Sequence, residues 1–297
     1  MGKIVVLDDF SGKWKLFMEN NGVQVVNPYR KMRLFSKILH RINLIIPIYK
    51  GGYWYNKTIK SLQSYSVIFI YAYRESPELI EYICRHKQKE QRIIIWFWNP
   101  VIRSFNPQKI QSSDCEVWSF DKNDCLQYGM NYNTTYYFKE FVNIRYCKKE
   151  QDVLFLGLNK GRGEKIQVIK NEIERKGFST YIHIVDETLS TKKRLPYMSY
   201  DEYLDKLLNS VAILDVIQEK QSGETRRVME ALFFQKKLIT TQLDIVNSDY
   251  YYRDNIFIIG YDSWDVFSEF MNKPYRKIPK KILVEYEFST WLKRFSI

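Results

Sequence analysis

From Asn20 to Arg74 the chain has not one aspartate or glutamate. The basic residues of that span therefore find no ion-pair partner within it. Histidine is scarce: His40, His86 and His183 are the only three in 297 residues. The four cysteines, Cys84, Cys115, Cys125 and Cys147, contain no C-x-x-C pair. This excludes the usual zinc-ligand spacings and a C-x-x-C redox centre, and scattered thiols suit a reducing compartment. With 12 Gly and 8 Pro, collagen-like and low-complexity chains are excluded. Long apolar runs are also missing. Ile4–Leu7 is too short for a signal-peptide core and ends in Asp8 and Asp9. The run 42–48 is broken by Asn43 and Pro47, well short of the ~20 residues of a membrane span. The expectation is a soluble, cytoplasmic protein, or one peripheral on the inner face of a membrane.

What is present fits a globular α/β protein. Hydrophobic residues make up 45% and charged residues 27%, enough for a packed core. Domains run to roughly 100–200 residues, so the length suggests two. The formal net charge of +12 favours an anionic partner: nucleic acid, a phospholipid surface or a phosphorylated small molecule. Aromatics reach 16%. They read either as a tyrosine-rich core or as rings that stack on sugars or bases.

Apolar runs and cap signals alternate strand with helix. Lys3–Leu7, Val23–Val26, Ser66–Tyr71, Arg92–Trp98 and Glu116–Phe120 read as buried strands. Ser76-Pro77-Glu78 opens a helix. After a charged connector at 148–151 the pattern restarts, with strands at 152–156, 178–185, 211–216, 237–241 and 256–259. Helices follow at 164–176, closed by Gly177, at 199–209, where Ser199 and Glu202 form a capping box, and at 225–234. A last helix is expected over 282–295. The alternation predicts two doubly wound domains, 1–149 and 150–297.

In such sheets ligands bind beyond the carboxyl ends of the strands. Gly157-Leu158-Asn159-Lys160-Gly161-Arg162-Gly163 is one such loop. Its glycines allow close approach, and Lys160 and Arg162 add charge for a diphosphate at a helix start. It is not a Walker A loop, and a glycine-rich surface turn is the plainer reading. Ser222-Gly223 precedes the helix at 225, with Arg227 suited to bidentate phosphate contact and Glu230 to a ribose diol. Surface ion pairs on that helix are the alternative.

These residues carry a family resemblance. Gly157–Arg162, Ile213-Leu214-Asp215-Val216, Gln221-Ser222-Gly223-Glu224-Thr225-Arg226-Arg227-Val228-Met229-Glu230-Ala231-Leu232 and Lys236–Thr241 resemble bacterial glycosyltransferases of the GT-B fold, of the capsule, exopolysaccharide and lipopolysaccharide biosynthesis type. Ser119-Phe120-Asp121-Lys122-Asn123-Asp124, ending Tyr128-Gly129, also looks like that group. The resemblance covers most of 115–297 and is thin before residue 65. It implies two Rossmann-like domains facing across a cleft: an acceptor-side domain at 1–149 and a nucleotide-sugar-binding domain at 150–297 with a terminal helix. It further implies a metal-independent transferase with no cofactor, the nucleotide-sugar being the donor substrate. Gly157, Lys160, Arg162, Ser222, Gly223 and Arg227 would face the diphosphate, and Glu230 the ribose. Many retaining members have two glutamates eight positions apart. Here the position eight before Glu230 is Ser222, so the retaining mechanism is not implied.

An inverting transfer needs a general base in the first domain. The candidates at strand ends are Asp8, Asp9, Asp121 and Glu75, with Asp8 or Asp9 favoured because they end the first strand; an N-cap or turn acid is the structural alternative. The acid-free span interleaves Arg30, Lys31, Arg33, Lys37, Arg41, Lys50, Lys57 and Lys60 with Phe35, Ile38, Ile42, Tyr53 and Trp54. A basic amphipathic stretch over 30–60 suits an anionic membrane surface and a polyprenyl-diphosphate-linked saccharide acceptor. Nucleic acid is not expected as a partner, since no helix-turn-helix, RRM or zinc pattern appears. A nucleic-acid-binding α/β protein and a non-catalytic nucleotide-binding module are the alternatives.

Overall fold

A computed structural model describes residues 2–32, 34–43, 52–74, 76–110, 114–142, 150–218 and 221–297. The chain forms two units, Met1–Thr134 with Phe288–Ile297, and Thr135–Glu287. In chain order the elements of the first are β1 (Ile4–Leu7), α1 (Gly12–Asn20), β2 (Val23–Val26), α2 (Leu34–Asn43), β3 (Val67–Tyr71), α3 (Ser76–His86), β4 (Arg92–Phe97), β5 (Glu116–Ser119), α4 (Lys122–Tyr128) and β6 (Asn131–Tyr132). Those of the second are β7 (Gln151–Leu158), α5 (Gly163–Arg175), β8 (Thr180–Val185), α6 (Tyr200–Leu208), β9 (Ser210–Asp215), α7 (Arg226–Phe233), β10 (Lys237–Thr240), β11 (Ile256–Ile258), α8 (Phe267–Asn272) and α9 (Lys280–Glu285). The last helix, α10 (Phe288–Lys293), returns to the first unit.

Among the described residues the first sheet runs β2-β1-β3-β4-β5-β6, parallel throughout. Its middle strands are buried on both faces, which is why β3 and β4 read as unbroken apolar runs rather than alternating ones. One face takes Leu79, Ile80 and Ile83 of α3. The other takes α10: Trp291 meets Phe69 and Trp96 with ring centroids 6.1 and 5.2 Å apart, and Phe295 meets Phe69 at 5.0 Å. Arg92 ties the end down, donating to the Phe295 and Ser296 carbonyls and to Glu116. The first unit therefore recruits the chain's last ten residues, which the sequence had grouped with 150–297. The helix expected over 282–295 is interrupted at Tyr286-Glu287, where Glu287 bridges to Tyr137.

The second sheet runs β11-β10-β9-β7-β8, again all parallel. Ile166, Ile169 and Ile173 bury one stripe of α5. Gly177, at φ 86°, ends that helix, with its N–H on Glu174 O and the Phe178 N–H on Ile173 O. The left-handed turn is open to glycine without strain. Ser199 and Glu202 form the capping box expected for α6. With β7 counted first, the second sheet has the order 2-1-3-4-5, which the first sheet also follows before adding β6 at its edge. The order reverses between β1 and β3 in one unit and between β7 and β9 in the other. Those two points are where open α/β sheets take ligands.

Candidate functional site

At the reversal point of the second sheet, β7 ends in Gly157-Leu158 and β9 in Asp215. Gly157 leaves room for two arginines: a Cβ there would collide with the Arg227 guanidinium and lie 3.4 Å from Arg162 Nη2. Both cations lie over the buried Phe155 ring, at 5.3 Å for Arg162 and 4.7 Å for Arg227. Arg162 donates to the Val216 and Leu158 carbonyls. Arg227 donates to Leu156 O at 2.7 Å and pairs with Asp215 at 3.5 Å. Asp215 is wholly buried and accepts from Thr225 and Thr240 as well. Its carboxylate thus holds the start of α7, the tip of β10 and Arg227 in one arrangement.

The loop after β7 is built for a sharp return. Lys160 and Gly161 are consecutive left-handed residues, at φ 47° and 81°. Asn159 accepts from the Gly163 N–H at 2.7 Å, capping α5, while its amide donates to Asp186 at 2.6 Å. Before α7, Thr225 is the N-cap and accepts from the Arg227 N–H. The Ser222 carbonyl is held by Gln242 and the Gly223 carbonyl by Gln221. Gly157, Arg162 and Arg227 are therefore brought together, with Asp215 as a member the sequence reading had not singled out.

Glu230 is placed elsewhere. Three residues along α7 from Arg227, it points into the protein and is 1% exposed. Its oxygens accept from the Tyr200 and Tyr203 hydroxyls, and Arg226 pairs with it at 3.5 Å. Tyr137 extends the network to Tyr200 at 2.6 Å. Burial pushes the Glu230 carboxyl above its ordinary value, and Arg226 and the hydroxyls pull it part of the way back. In this arrangement the carboxylate anchors the two tyrosines and Arg226. The signal available in sequence was the Tyr200/Tyr203 spacing on a capped helix, which puts both on one face.

At the reversal point of the first sheet the chemistry is acidic. Asp8 directly follows β1 and is 3% exposed. Tyr73, just beyond β3, donates to Asp8 Oδ2 at 2.8 Å across that point. Oδ1 is buried and accepts no well-formed hydrogen bond among the described residues, with Asp9 close to the carboxyl. Burial, and to a smaller degree Asp9, push the Asp8 carboxyl up to about 7, against the pull of Tyr73. Asp9 itself is exposed. Asp121 is fully buried and caps α4, accepting from the Asn123 and Asp124 N–H groups, so the N-cap reading of that residue describes its contacts. Glu75 lies outside the described residues. Tyr73 had no sequence signal, because its link to Asp8 spans 65 positions.

On α2, Phe35, Ile38 and Ile42 are 71%, 49% and 41% exposed. In the same acid-free stretch Arg30 stacks on Tyr53 at 3.9 Å, whereas Trp54 is buried. Arg33 and residues 44–51 of the basic stretch lie outside the described residues. Among the described residues no helix is long and apolar enough to cross a membrane, and no group of His, Cys, Asp or Glu is arranged to hold a metal ion.

No protein-family model and no curated protein matches the chain. Solved structures do. An α-glucosyltransferase in complex with UDP and a 13-mer DNA containing a central A:G mismatch aligns with a TM-score of 0.55 at 10% identity, over 98% of this chain and 94% of that one. A DNA-modifying β-glucosyltransferase aligns at 0.49 and 12% identity, over 100% and 97%. AviGT4, a glycosyltransferase involved in avilamycin A biosynthesis, aligns at 0.49 and 10%, over 77% and 82%. Two parallel α/β sheets that reverse at the same point of their strand order, together with the first of these likenesses, define the class. The chain is an α/β protein with the GT-B glycosyltransferase fold.

Proposed function

We propose that the protein is a glycosyltransferase that moves a sugar from a nucleoside-diphosphate sugar to an acceptor hydroxyl. The observation that carries this is the convergence of Arg162 and Arg227 over Gly157 at the ligand-binding end of the second sheet. Two guanidiniums, backed by the start of α7, suit a diphosphate. Lys160, Ser222 and Gly223 complete the phosphate side. Glu230 acts behind it by fixing Arg226, whose side chain is 51% exposed.

In the transfer the acceptor oxygen attacks the anomeric carbon. The bond from that carbon to the diphosphate oxygen breaks, and its electron pair leaves on the nucleoside diphosphate, where the arginines meet the developing charge. The acceptor proton passes to Asp8, whose carboxyl near 7 suits a general base at neutral pH. This is an inverting, metal-independent reading. Asp9, exposed to solvent, and Asp121, committed to a cap, are weaker candidates for it.

The acceptor side we read as a lipid-linked saccharide of bacterial surface polysaccharide synthesis, presented at an anionic membrane. The exposed face of α2 within an acid-free basic stretch supports it. A second reading has nucleic acid as acceptor. The net charge of +12 favours it, as does the DNA bound to the α-glucosyltransferase of similar fold. Binding of duplex DNA that weakens steeply with salt would select the second reading, and binding to anionic over neutral vesicles the first.

The test of the donor site is thermal stabilisation by UDP-, GDP-, CMP- and dTDP-sugars. Ligand at 100 times its Kd stabilises by about 2.7 kcal/mol. One nucleotide class should raise the melting temperature of the wild type and fail to raise that of Arg227→Ala. No response to any of them at millimolar concentration would refute the reading.

A further inference from the structure

The first unit contains a cavity of about 290 Å³ that neither reversal point uses. Its floor is apolar: Ile59, Leu62, Ile68 and Ile83 are all buried. Ile68 lies near the start of β3, and Gln91, which also lines the cavity, immediately precedes β4. The cavity is therefore at the amino ends of the strands, whereas Asp8 lies beyond the carboxyl end of β1. One wall is the 3₁₀ run Lys57–Ser64, which leaves helical geometry at Ser61, at φ −127° and ψ 37°. Gln91 pins that run, donating to the Leu62 and Tyr65 carbonyls at 2.6 Å each and accepting from the Gln88 N–H at 2.8 Å.

The other wall is the last turn of α3 and the residue after it. Tyr82 and His86 stack with ring centroids 4.3 Å apart, and Tyr55 backs Tyr82 at 4.8 Å. His86 Nδ1 donates to the Tyr82 carbonyl at 2.7 Å, which fixes the imidazole against the helix. Lys87 follows and is half-buried. Arg85, on the same turn, pairs with Glu81. Among the described residues the Lys87 ammonium enters no ion pair, and none of the residues lining the cavity is acidic. A partly buried cation beside an apolar floor lacks the counter-charge that burial favours.

These features select one kind of occupant. Inorganic phosphate would leave the apolar floor uncovered, and a neutral hydrocarbon would leave the cation unmatched. One cation balances one negative charge, as on a carboxylate. The volume is at the lower end of the range of small-molecule sites, roughly 300–1,000 Å³, which limits the body to about a single ring system. We propose that this cavity binds a small carboxylate with a flat apolar body, the ring lying over the isoleucines beside Tyr82 and the carboxylate on Lys87. The proposal does not rest on the transferase reading, because the cavity shares no residue with the donor site or with Asp8.

The test is a ligand-observed NMR titration of the full chain with benzoate, indole-3-acetate, benzyl alcohol and benzylamine. At least one of the two carboxylates is expected to bind, and more tightly than the alcohol or the amine. Lys87→Met keeps the apolar stem and removes the charge. It should weaken carboxylate binding about tenfold, the scale of one hydrogen bond to a charged group. Lys87→Arg should retain the binding, and the melting temperatures of both variants check that the fold is intact. Arg227→Ala should bind the carboxylate like the wild type. A loss in Arg227→Ala with none in Lys87→Met would put the anion on the donor-site arginines and overturn the proposal. So would failure of both carboxylates to bind at millimolar concentration, or benzyl alcohol binding as tightly as benzoate. Nucleotide-sugar stabilisation of the same samples separates the two readings: a nucleotide response without carboxylate binding sinks the cavity and spares the donor site, and the reverse pattern sinks the donor site and spares the cavity.

Discussion

The two sheets share their order over five strands and have opposite chemistry at the same place. Where the first sheet reverses, a carboxylate is buried with a tyrosine on one oxygen and Asp9 beside it. Where the second reverses, two guanidiniums converge over a glycine, one of them held by a buried aspartate. Topology decides where a ligand can reach backbone and loops; the residue following each strand decides what it meets there. An acid forced toward neutrality suits a group that gives up a proton. A pair of fixed cations suits a group that gains negative charge.

The sharpest way to break this contrast is Asp8→Asn. In the proposed transfer, turnover should fall by about 10²–10⁴-fold, the range of a lost general base. The same change should stabilise the fold. The Asp8 carboxyl rises from 3.8 to about 7 in the folded protein, so its contribution favours folding below 3.8 and is lost as pH rises through about 7. A shift of about three units is worth at most ~4 kcal/mol. The melting temperature of Asp8→Asn should therefore exceed the wild type's at pH 8 and approach it near pH 4. A variant both inactive and less stable at pH 8 would contradict the role of burial at this site.

Next in size is Gly157→Ala. The methyl group cannot coexist with Arg227 in its present place, so nucleotide affinity should drop by an order of magnitude or more, read by calorimetric titration. Unchanged affinity would remove Arg227 from the donor site. Glu230→Ala should act on stability even without nucleotide. It leaves the Tyr203 hydroxyl without its acceptor, while Tyr200 keeps Tyr137, and one unsatisfied buried group costs about 1–3 kcal/mol. If that variant melts like the wild type, the carboxylate is not the anchor described here. The smallest effect is that of Tyr73→Phe. Without its hydroxyl the Asp8 carboxyl rises further, because that hydrogen bond lowers it. The acid limb of the pH–rate profile should move to higher pH with little change in the plateau.

Much of this frame was legible in sequence. Unbroken apolar runs such as Val67–Tyr71 predict strands buried on both faces, and Gly177 and the Ser199/Glu202 pair mark helix ends through local chemistry alone. Gly157 and Arg162 were readable from the glycine-rich segment after a strand, and Arg227 from the first turn of the helix that follows Ser222-Gly223. What stayed hidden depends on distant pairing. Trp291 reads as part of a terminal helix, and only the sheet face it covers assigns it to the first unit. Tyr73 has no local pattern, because it meets Asp8 through strand order. Glu230 follows its helix neighbours in sequence, but the turn of α7 aims it at Tyr200 and Tyr203.

The division of labour between the two reversal points is tested most directly by titrating the responding nucleotide-sugar into Asp8→Asn and Arg227→Ala side by side. The account predicts wild-type affinity in Asp8→Asn and at least a tenfold loss in Arg227→Ala. Equal affinity in both variants, or a loss confined to Asp8→Asn, would contradict it.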